Sequence, residues 1–409
     1  MASGAYAHYL FMRLRQESRS PMPTKQLLII GAGPYGLSVA AYAKHLGIDY
    51  AMSGKPMEFW RNQMPKGMLL RSGATWQLDP LEIHTLRRFL ESNGLALERV
   101  SPLPLDLFID YADWFAEELG IKTLNSYVRN LEFRGGHFEA FIENGETLSA
   151  ETVVTSPGVG MFRSLPADLT GKLPNGRYTH TSSMVNFEPL VGRRCLIIGG
   201  RQSAFEWAAL MVEAGVAHVH VAFRHETPQF APSDWTWIDP LLKQATGVRG
   251  WFRNLPNSER EAIEERFWGE GRLKLEPWLA PRIIKDNIKL WPHSQVESCK
   301  VLADGTLHVR LSAGANVDVD HVILATGYQV DMQKVPYFSK TTIMPQLRTT
   351  DGFPCLDEDF QTSVPGLYIT GFAATRDFGP FYAFIRGCPS SAKIIGDHIH
   401  SSLSWNLNA

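Results

Sequence analysis

The chain has few cysteines, no long apolar run and no excess of charge, and each shortage closes off a class of function. Its four cysteines, Cys195, Cys299, Cys355 and Cys388, stand far apart. With no C-x-x-C there is neither a vicinal redox disulfide nor a zinc ribbon, and the scarcity suits a reducing, cytoplasmic compartment. No stretch reaches the ~20 apolar residues of a membrane-spanning helix, so no membrane partner is expected. Lysine and arginine number 40 against 42 acidic residues, a net charge of −2, which marks no nucleic-acid partner. The 13 histidines form no H-E-x-x-H or comparable spacing, and no metal is expected. No triad or paired-carboxylate motif is present.

What is present is organised around Gln26–Gly47. Leu27 to Ile30 is a short apolar run that predicts a buried strand. Gly31-Ala32-Gly33-Pro34-Tyr35-Gly36 follows in the pattern G-x-G-x-x-G, and Leu37, Val39, Ala40, Ala43 and Leu46 recur at helical spacing up to Gly47. Strand, glycine turn and helix N-terminus stand in the order a dinucleotide needs. Gly31 permits the turn, Gly33 lets the pyrophosphate approach the backbone, and Gly36 lets helix and strand pack. Free amides and the positive helix end hold the phosphates.

The second strand, Ile48 to Met52, ends at Ser53 and Gly54 where many such folds carry a ribose-binding carboxylate. Ser53 can bond a ribose oxygen more weakly, and Lys55 can offer charge to a phosphate. Pro56–Asp79 has no clean period and reads as an ordered loop covering something flat and apolar. Leu81–Leu90 and Ile109–Leu119 read as helices. Tyr127–Phe133, His137–Ile142 and Thr152–Thr155 read as strands, joined by hairpin turns at Gly135-Gly136 and Asn144-Gly145. The unit closes on Ser156-Pro157-Gly158.

The pattern then restarts. Arg194–Ile198 is a second apolar strand, followed by Gly199-Gly200-Arg201-Gln202-Ser203-Ala204, a helix to Ala214 and a strand at His218–Phe223. Val296–Val301, Leu307–Leu311 and His321–Leu324 repeat the hairpin series and close on Ala325-Thr326-Gly327-Tyr328. Two such units imply two nucleotide sites. Arg201 replaces the motif's second glycine, and either clashes with a pyrophosphate or binds it. Arg224 follows the second strand, where a guanidinium can hold a 2′-phosphate and so favour NADPH over NADH. Glu226–Pro292 is an insertion with six of the chain's 11 tryptophans, and Ser258 to Glu261 is a capping-box signature within it. So aromatic a segment either packs on the first domain or forms a homo-oligomer, and it is placed to wall a substrate pocket. Asp234 and Trp235 are its candidates for orienting a cationic substrate. Gly366–Phe372 and the helix reaching His398 return to the first domain.

The expected fold class is α/β, with two Rossmann-like dinucleotide-binding domains, β-meanders and a mostly helical Trp-rich insertion. The expected division is a tail at 1–25, for which Met22 is an equal candidate start, a first domain at 26–165 and 321–409, and a second at 166–320 that includes insertion 226–292.

With GAGPYG, GGRQSA, ATGY at 325–328 and FGPFYAFIRG at 378–387 in hand, the chain resembles flavin-dependent monooxygenases with two dinucleotide domains. That group holds flavin-containing monooxygenases, Baeyer–Villiger monooxygenases and ornithine/lysine N-hydroxylases. Its fingerprint between the turns is met by Gly176 and His180, while Met184 replaces the aromatic. The resemblance implies FAD at Gly31, Gly33, Pro34, Tyr35, Gly36, Ser53, Lys55, Trp60, Leu70, Arg71, Val128, Pro157, Gly158, Gly371 and Phe372. It implies NADPH at Gly199, Gly200, Arg201, Gln202, Ser203, Arg224, Ala325, Thr326 and Gly327. Near the reactive flavin the group places an asparagine; Arg71 and Ser72 stand there instead. The implied reaction passes one oxygen atom from a C4a-hydroperoxyflavin, formed with O2, to a small-molecule nitrogen, sulfur or carbonyl carbon. Competing expectations are a flavin-dependent NAD(P)H oxidase or reductase without oxygen transfer, and a nucleotide-binding redox sensor.

Overall fold

The computed structural model describes residues 24–406 apart from 74 and 313, so nearly all of the tail expected at 1–25 lies outside the described residues. Lys25–Ile30 forms β1, and Leu27 to Ile29 are at most 1% exposed. An apolar run buried on both faces belongs at the centre of a parallel sheet. Pro34–His45 forms α1, with Pro34 in its first turn, where a fixed φ and missing N–H cost nothing. Tyr50–Ser53 is β2, and Leu105–Glu118 is α2, which buries Leu105, Phe108, Ile109, Ala112 and Phe115 along one stripe. Val128–Arg134 (β3), His137–Ile142 (β4) and Thr147–Thr155 (β5) follow as an antiparallel series. Gly135 and Gly136 turn the first hairpin with φ of 57° and 82°. Two positive φ values are what a two-residue hairpin loop requires. The sheet order is β2-β1-β5-β4-β3, with β1 parallel to both β2 and β5.

The second unit contains Tyr178–His180 (β6), Arg194–Ile198 (β7), Gln202–Glu213 (α3) and His218–Ala222 (β8). The insertion carries Ile238–Gly247 (α4) and Asn257–Trp268 (α5). Ile288–Trp291 (β9), Val296–Val301 (β10), Leu307–Leu311 (β11), Asn316–Val319 (β12) and His321–Leu324 (β13) complete the unit. Its sheet runs β9-β8-β7-β13-β6, all parallel, beside a β10-β11-β12 meander. Leu367–Ile369 (β14) then pairs with β5 of the first sheet. Cys388–Asn406 (α6) packs on α1, where the Tyr42 hydroxyl meets Asp397 at 2.9 Å. Among the described residues no helix is long and apolar enough to cross a membrane.

Four expectations need correction. Strand β13 pairs with β7 and β6, so the second unit runs to Leu324, past the boundary expected at 320. Strand β9 pairs with β8, so the insertion ends before Ile288 and not at Pro292. The helix expected over Leu81–Leu90 spans Leu86–Ser92. Before it, the Asp79 carboxylate accepts the amides of Leu81, Ile83 and His84 in a non-helical turn, and Thr85 caps the helix. Ser258 is no N-cap, because α5 starts at Asn257 behind an extended Pro256 and has no side-chain cap bond. Of the insertion, Ile238, Leu242, Ala245, Phe252 and Phe267 join the first unit's core, whereas Trp278 packs on the second's.

Candidate active site

The two glycine turns are built alike. In the first, Gly31 has φ 112°, and a Cβ there would stand 2.5 Å from the Ser156 carbonyl oxygen. In the second, Gly199 has φ 145°, and a Cβ would stand 2.4 Å from the Ala325 carbonyl oxygen. Each leading glycine therefore lets the turn lie against the strand that closes its unit. A Cβ on Gly36 would come within 1.8 Å of the Gly31 oxygen, so helix and turn are in direct contact. Gly33 differs: a Cβ there would meet nothing within 4 Å. Its missing side chain leaves open space before the N-terminus of α1, which is the room a pyrophosphate needs.

Tyr35 commits the first turn to the end of the chain. Its hydroxyl lies 2.6 Å from the Tyr382 carbonyl and 2.8 Å from that of Phe384, and its ring lies beside Gly371 (φ 78°). Burial pushes its pKa well up. Phe384 in turn belongs to an aromatic wall drawn from three parts of the chain. Trp76 comes from the loop after β2, Trp235 and Phe267 from the insertion, and Phe384 from the closing segment. Ring centroids are 6.1 Å apart for Trp76–Trp235, 5.9 Å for Trp235–Phe384 and 5.2 Å for Phe267–Phe384.

Arg71, expected near the flavin, binds the insertion. Its Nε pairs with Glu276 at 2.9 Å, and its Nη atoms donate to the Gly271 carbonyl and the Ser233 hydroxyl at 2.6 and 2.5 Å. With every face of the guanidinium engaged, it clamps the insertion to this loop. Ser72 is half-buried and makes no hydrogen bond among the described residues. Asp234 is exposed. Its Oδ1 accepts from the Thr236 amide and hydroxyl, bonds that hold its pKa below the usual range, and Oδ2 faces Arg266 at 3.4 Å. It caps a local turn, whereas the Trp235 side chain is part of the aromatic wall.

Ser53 is fully buried, and its hydroxyl donates to the Ser126 carbonyl at 2.7 Å. Lys55 lies exposed with Nζ 4.8 Å from the Tyr127 ring. Trp60 packs on Phe108 at 4.8 Å, and Leu70 and Val128 are 5% exposed, which makes these three mainly core residues. Pro157 and Gly158 follow β5, and the Phe372 ring lies tilted against Phe162 with centroids 6.2 Å apart.

In the second unit Gly200 is buried, and a Cβ would strike Phe223 at 2.5 Å. Ser203 is exposed at the second residue of α3. Arg224 is exposed and makes no hydrogen bond or ion pair among the described residues. The Thr326 hydroxyl donates to the Ser164 carbonyl at 2.6 Å, and the Gly327 carbonyl faces His180 Nε2 at 3.1 Å, so both bind the crossing between the units. The Ser182 amide can only donate, and it donates to His180 Nδ1 at 3.2 Å; the ring proton therefore sits on Nε2 and goes to Gly327. Burial lowers the pKa of His180 and keeps it neutral.

Glu206 on α3 was not anticipated. It is fully buried, accepts the Leu69 amide at 3.1 Å and the Gln202 side-chain amide at 3.3 Å, and lies 3.9 Å from Arg282. Burial raises its pKa to about 7 against the lowering effect of those bonds and of Arg282 and Arg71. It ties the second unit to the loop that carries Arg71. One signal pointed to it: a lone carboxylate in the otherwise apolar run Phe205–Met211.

Comparison with known proteins agrees with this geometry. Residues 28–248 match the model of the pyridine nucleotide-disulphide oxidoreductases, which is more than half of the chain, and the protein belongs to that family. It is 26% identical to the FAD-dependent urate hydroxylase of Xanthomonas campestris over 43% of this chain and 37% of that one. It is 29% identical to ferredoxin–NADP reductase 2 of Chloroherpeton thalassium over 51% and 54%. These matches span about half or less of either relative. The fold is that of the Kutzneria sp. 744 ornithine N-hydroxylase, solved with reduced FAD, NADP+ and L-ornithine, with a TM-score of 0.75 at 16% identity over 93% of this chain and 100% of that one.

Proposed function

We propose that the protein is an FAD-dependent, NADPH-consuming monooxygenase that transfers one oxygen atom to a nitrogen, sulfur or carbonyl carbon of a small molecule. The observation that carries this reading is the aromatic wall of Trp76, Trp235, Phe267 and Phe384, tied through the Tyr35 hydroxyl to the first glycine turn. Oxygen transfer needs a site that excludes water, whereas an electron carrier needs an open edge. Gly31, Gly33 and the start of α1 would hold the FAD pyrophosphate, with Lys55, Pro157, Gly158, Gly371 and Phe372 around them. Gly199, Arg201 and Arg224 would hold NADPH. Once bound and reduced, FAD supplies the activation of O2. Tyr35 fixes the closing segment against the turn, Arg71 holds the insertion over the junction, and the wall keeps water out. The relatives named a urate hydroxylase and an ornithine N-hydroxylase support oxygenation.

A second reading, a flavin-dependent reductase without oxygen transfer, has support in the likeness to ferredoxin–NADP reductase. Turnover under 18O2 separates the two, using primary amines, thioethers and ketones as acceptors. A monooxygenase puts a single labelled oxygen into product for each NADPH consumed. Fast NADPH-driven reduction of ferredoxin, with no label in any acceptor, refutes the first reading.

A further inference from the structure

Arg201 stands where the first turn has Gly33. Both residues directly precede a 12-residue helix, and both are extended: φ −88° and ψ −171° at Gly33, φ −113° and ψ 178° at Arg201. Similar torsions aim a Cβ in a similar direction from the helix end. At Gly33 that direction leads into open space, with nothing within 4 Å of a Cβ. Neither residue has a positive φ, so what glycine contributes here is the absence of a side chain and not an unusual backbone. In the second turn a side chain enters that space.

The Arg201 guanidinium is held by the insertion. Its Nη1 donates to the Arg272 carbonyl at 2.7 Å, and its Cζ lies 4.6 Å from the centre of the Trp268 ring. The Arg272 guanidinium covers the same ring at 5.7 Å. Trp268 is 49% exposed. Burial, and after it the neighbouring Arg272 and Arg224, disfavour the charge on Arg201, and none of the three arginines makes an ion pair among the described residues. Three guanidinium groups without a carboxylate, beside a dinucleotide-type turn, form a site for an anion.

We propose that Arg201 and Arg272 clamp the pyrophosphate of the nicotinamide dinucleotide through their side chains, in place of the close backbone approach that a glycine at 201 would allow. The proposal rests on the reading that the second unit binds NADPH. Because Arg272 and Trp268 belong to the insertion, the bound nucleotide also ties the insertion to the second unit. Arg224 is left free for the 2′-phosphate.

Calorimetric titration of the flavin-loaded protein with NADP+, NAD+ and 2′-AMP tests this, since the last carries a 2′-phosphate and no pyrophosphate. Arg201→Gly should weaken NADP+ and NAD+ by the same factor, roughly tenfold or more, and leave 2′-AMP unchanged. Arg201→Lys, which keeps the charge but loses the fork, should fall between. Unchanged flavin content and unfolding midpoint would establish that the variants fold. If Arg201→Gly binds either dinucleotide as tightly as the parent or more so, the side chain is an obstruction and the clamp is refuted. Equal weakening of 2′-AMP refutes it too. A parent protein that binds none of the three overturns the NADPH reading itself, a result distinct from any behaviour of the variants.

Discussion

Replacing Glu206 with glutamine should make the protein more stable at pH 8 and leave it nearly unchanged at pH 5. The carboxylate is fully buried between α3 and the Leu69 amide, and burial raises its pKa from an ordinary 4.5 to about 7. A group whose pKa is higher folded than unfolded contributes full stability below the unfolded value and loses it as pH rises through the folded one. The window here is pH 4.5 to 7. At about 1.4 kcal/mol per unit, the ionised form costs roughly 3 kcal/mol relative to the protonated form. Glutamine imitates the protonated form and still accepts from Leu69, but it turns an NH2 toward Gln202, whose bond at 3.3 Å is lost. That loss costs about 1 kcal/mol at every pH. The stability gap between variant and parent should therefore grow by roughly 3 kcal/mol between pH 5 and pH 8, in favour of the variant. Urea unfolding of both proteins across that range measures it, and pH effects from other groups such as His180 cancel in the difference. A constant gap, or a variant less stable at pH 8 than at pH 5 relative to the parent, would show that Arg282 at 3.9 Å and Arg71 make the ionised carboxylate favourable.

Three further outcomes are expected. Gly33→Val has space to fold, since a Cβ meets nothing within 4 Å, but it fills the pyrophosphate's room and should yield folded protein without flavin; full FAD absorbance after purification would disprove the assignment. Arg224→Ala should raise the KM for NADPH about tenfold through loss of a charge-assisted contact and leave that for NADH nearly unchanged; equal changes for both would remove the 2′-phosphate role. Arg71→Met leaves the half-buried Glu276 with only the Ser233 hydroxyl as a side-chain partner, at a cost of about 1–3 kcal/mol, and should expose the insertion between 226 and 287 to limited proteolysis; cleavage no faster than in the parent would mean that the clamp is redundant.

Features written in consecutive residues were legible in the sequence. The Leu27–Ile30 run, the glycine turn and the helical spacing after it are local, and the fold keeps them together. The second unit was legible because it repeats the first. The misreadings share one cause, which is a partner far along the chain. Ile288–Trp291 looks like the end of an insertion until β8 supplies the edge it pairs with. In the same way the hydroxyl of Ser53 bonds to Ser126, 73 residues later, a partner that local sequence does not show. The partners of Arg71, which are Ser233, Gly271 and Glu276, likewise lie far along the chain.

Glu206 shows what closer reading of local sequence can and cannot yield. A carboxylate in a helix whose neighbours are Ala204, Phe205, Trp207 and Ala208 must be buried, and a buried carboxylate must be bonded. That much follows from the sequence. Which donor satisfies it does not, because that donor is a backbone amide, and every residue but proline has one. The Leu69 amide is available because Leu69–Leu70 is a two-residue strand paired on one side only, with Leu103–Pro104. Its other edge faces α3 of the second unit. The same short strand leads into Arg71, whose side chain reaches the insertion. One loop of the first unit thus meets the second unit through its backbone and the insertion through its side chain. A change in the charge of Glu206 is therefore felt at the base of the Arg71 clamp as well as between the two nucleotide-binding units.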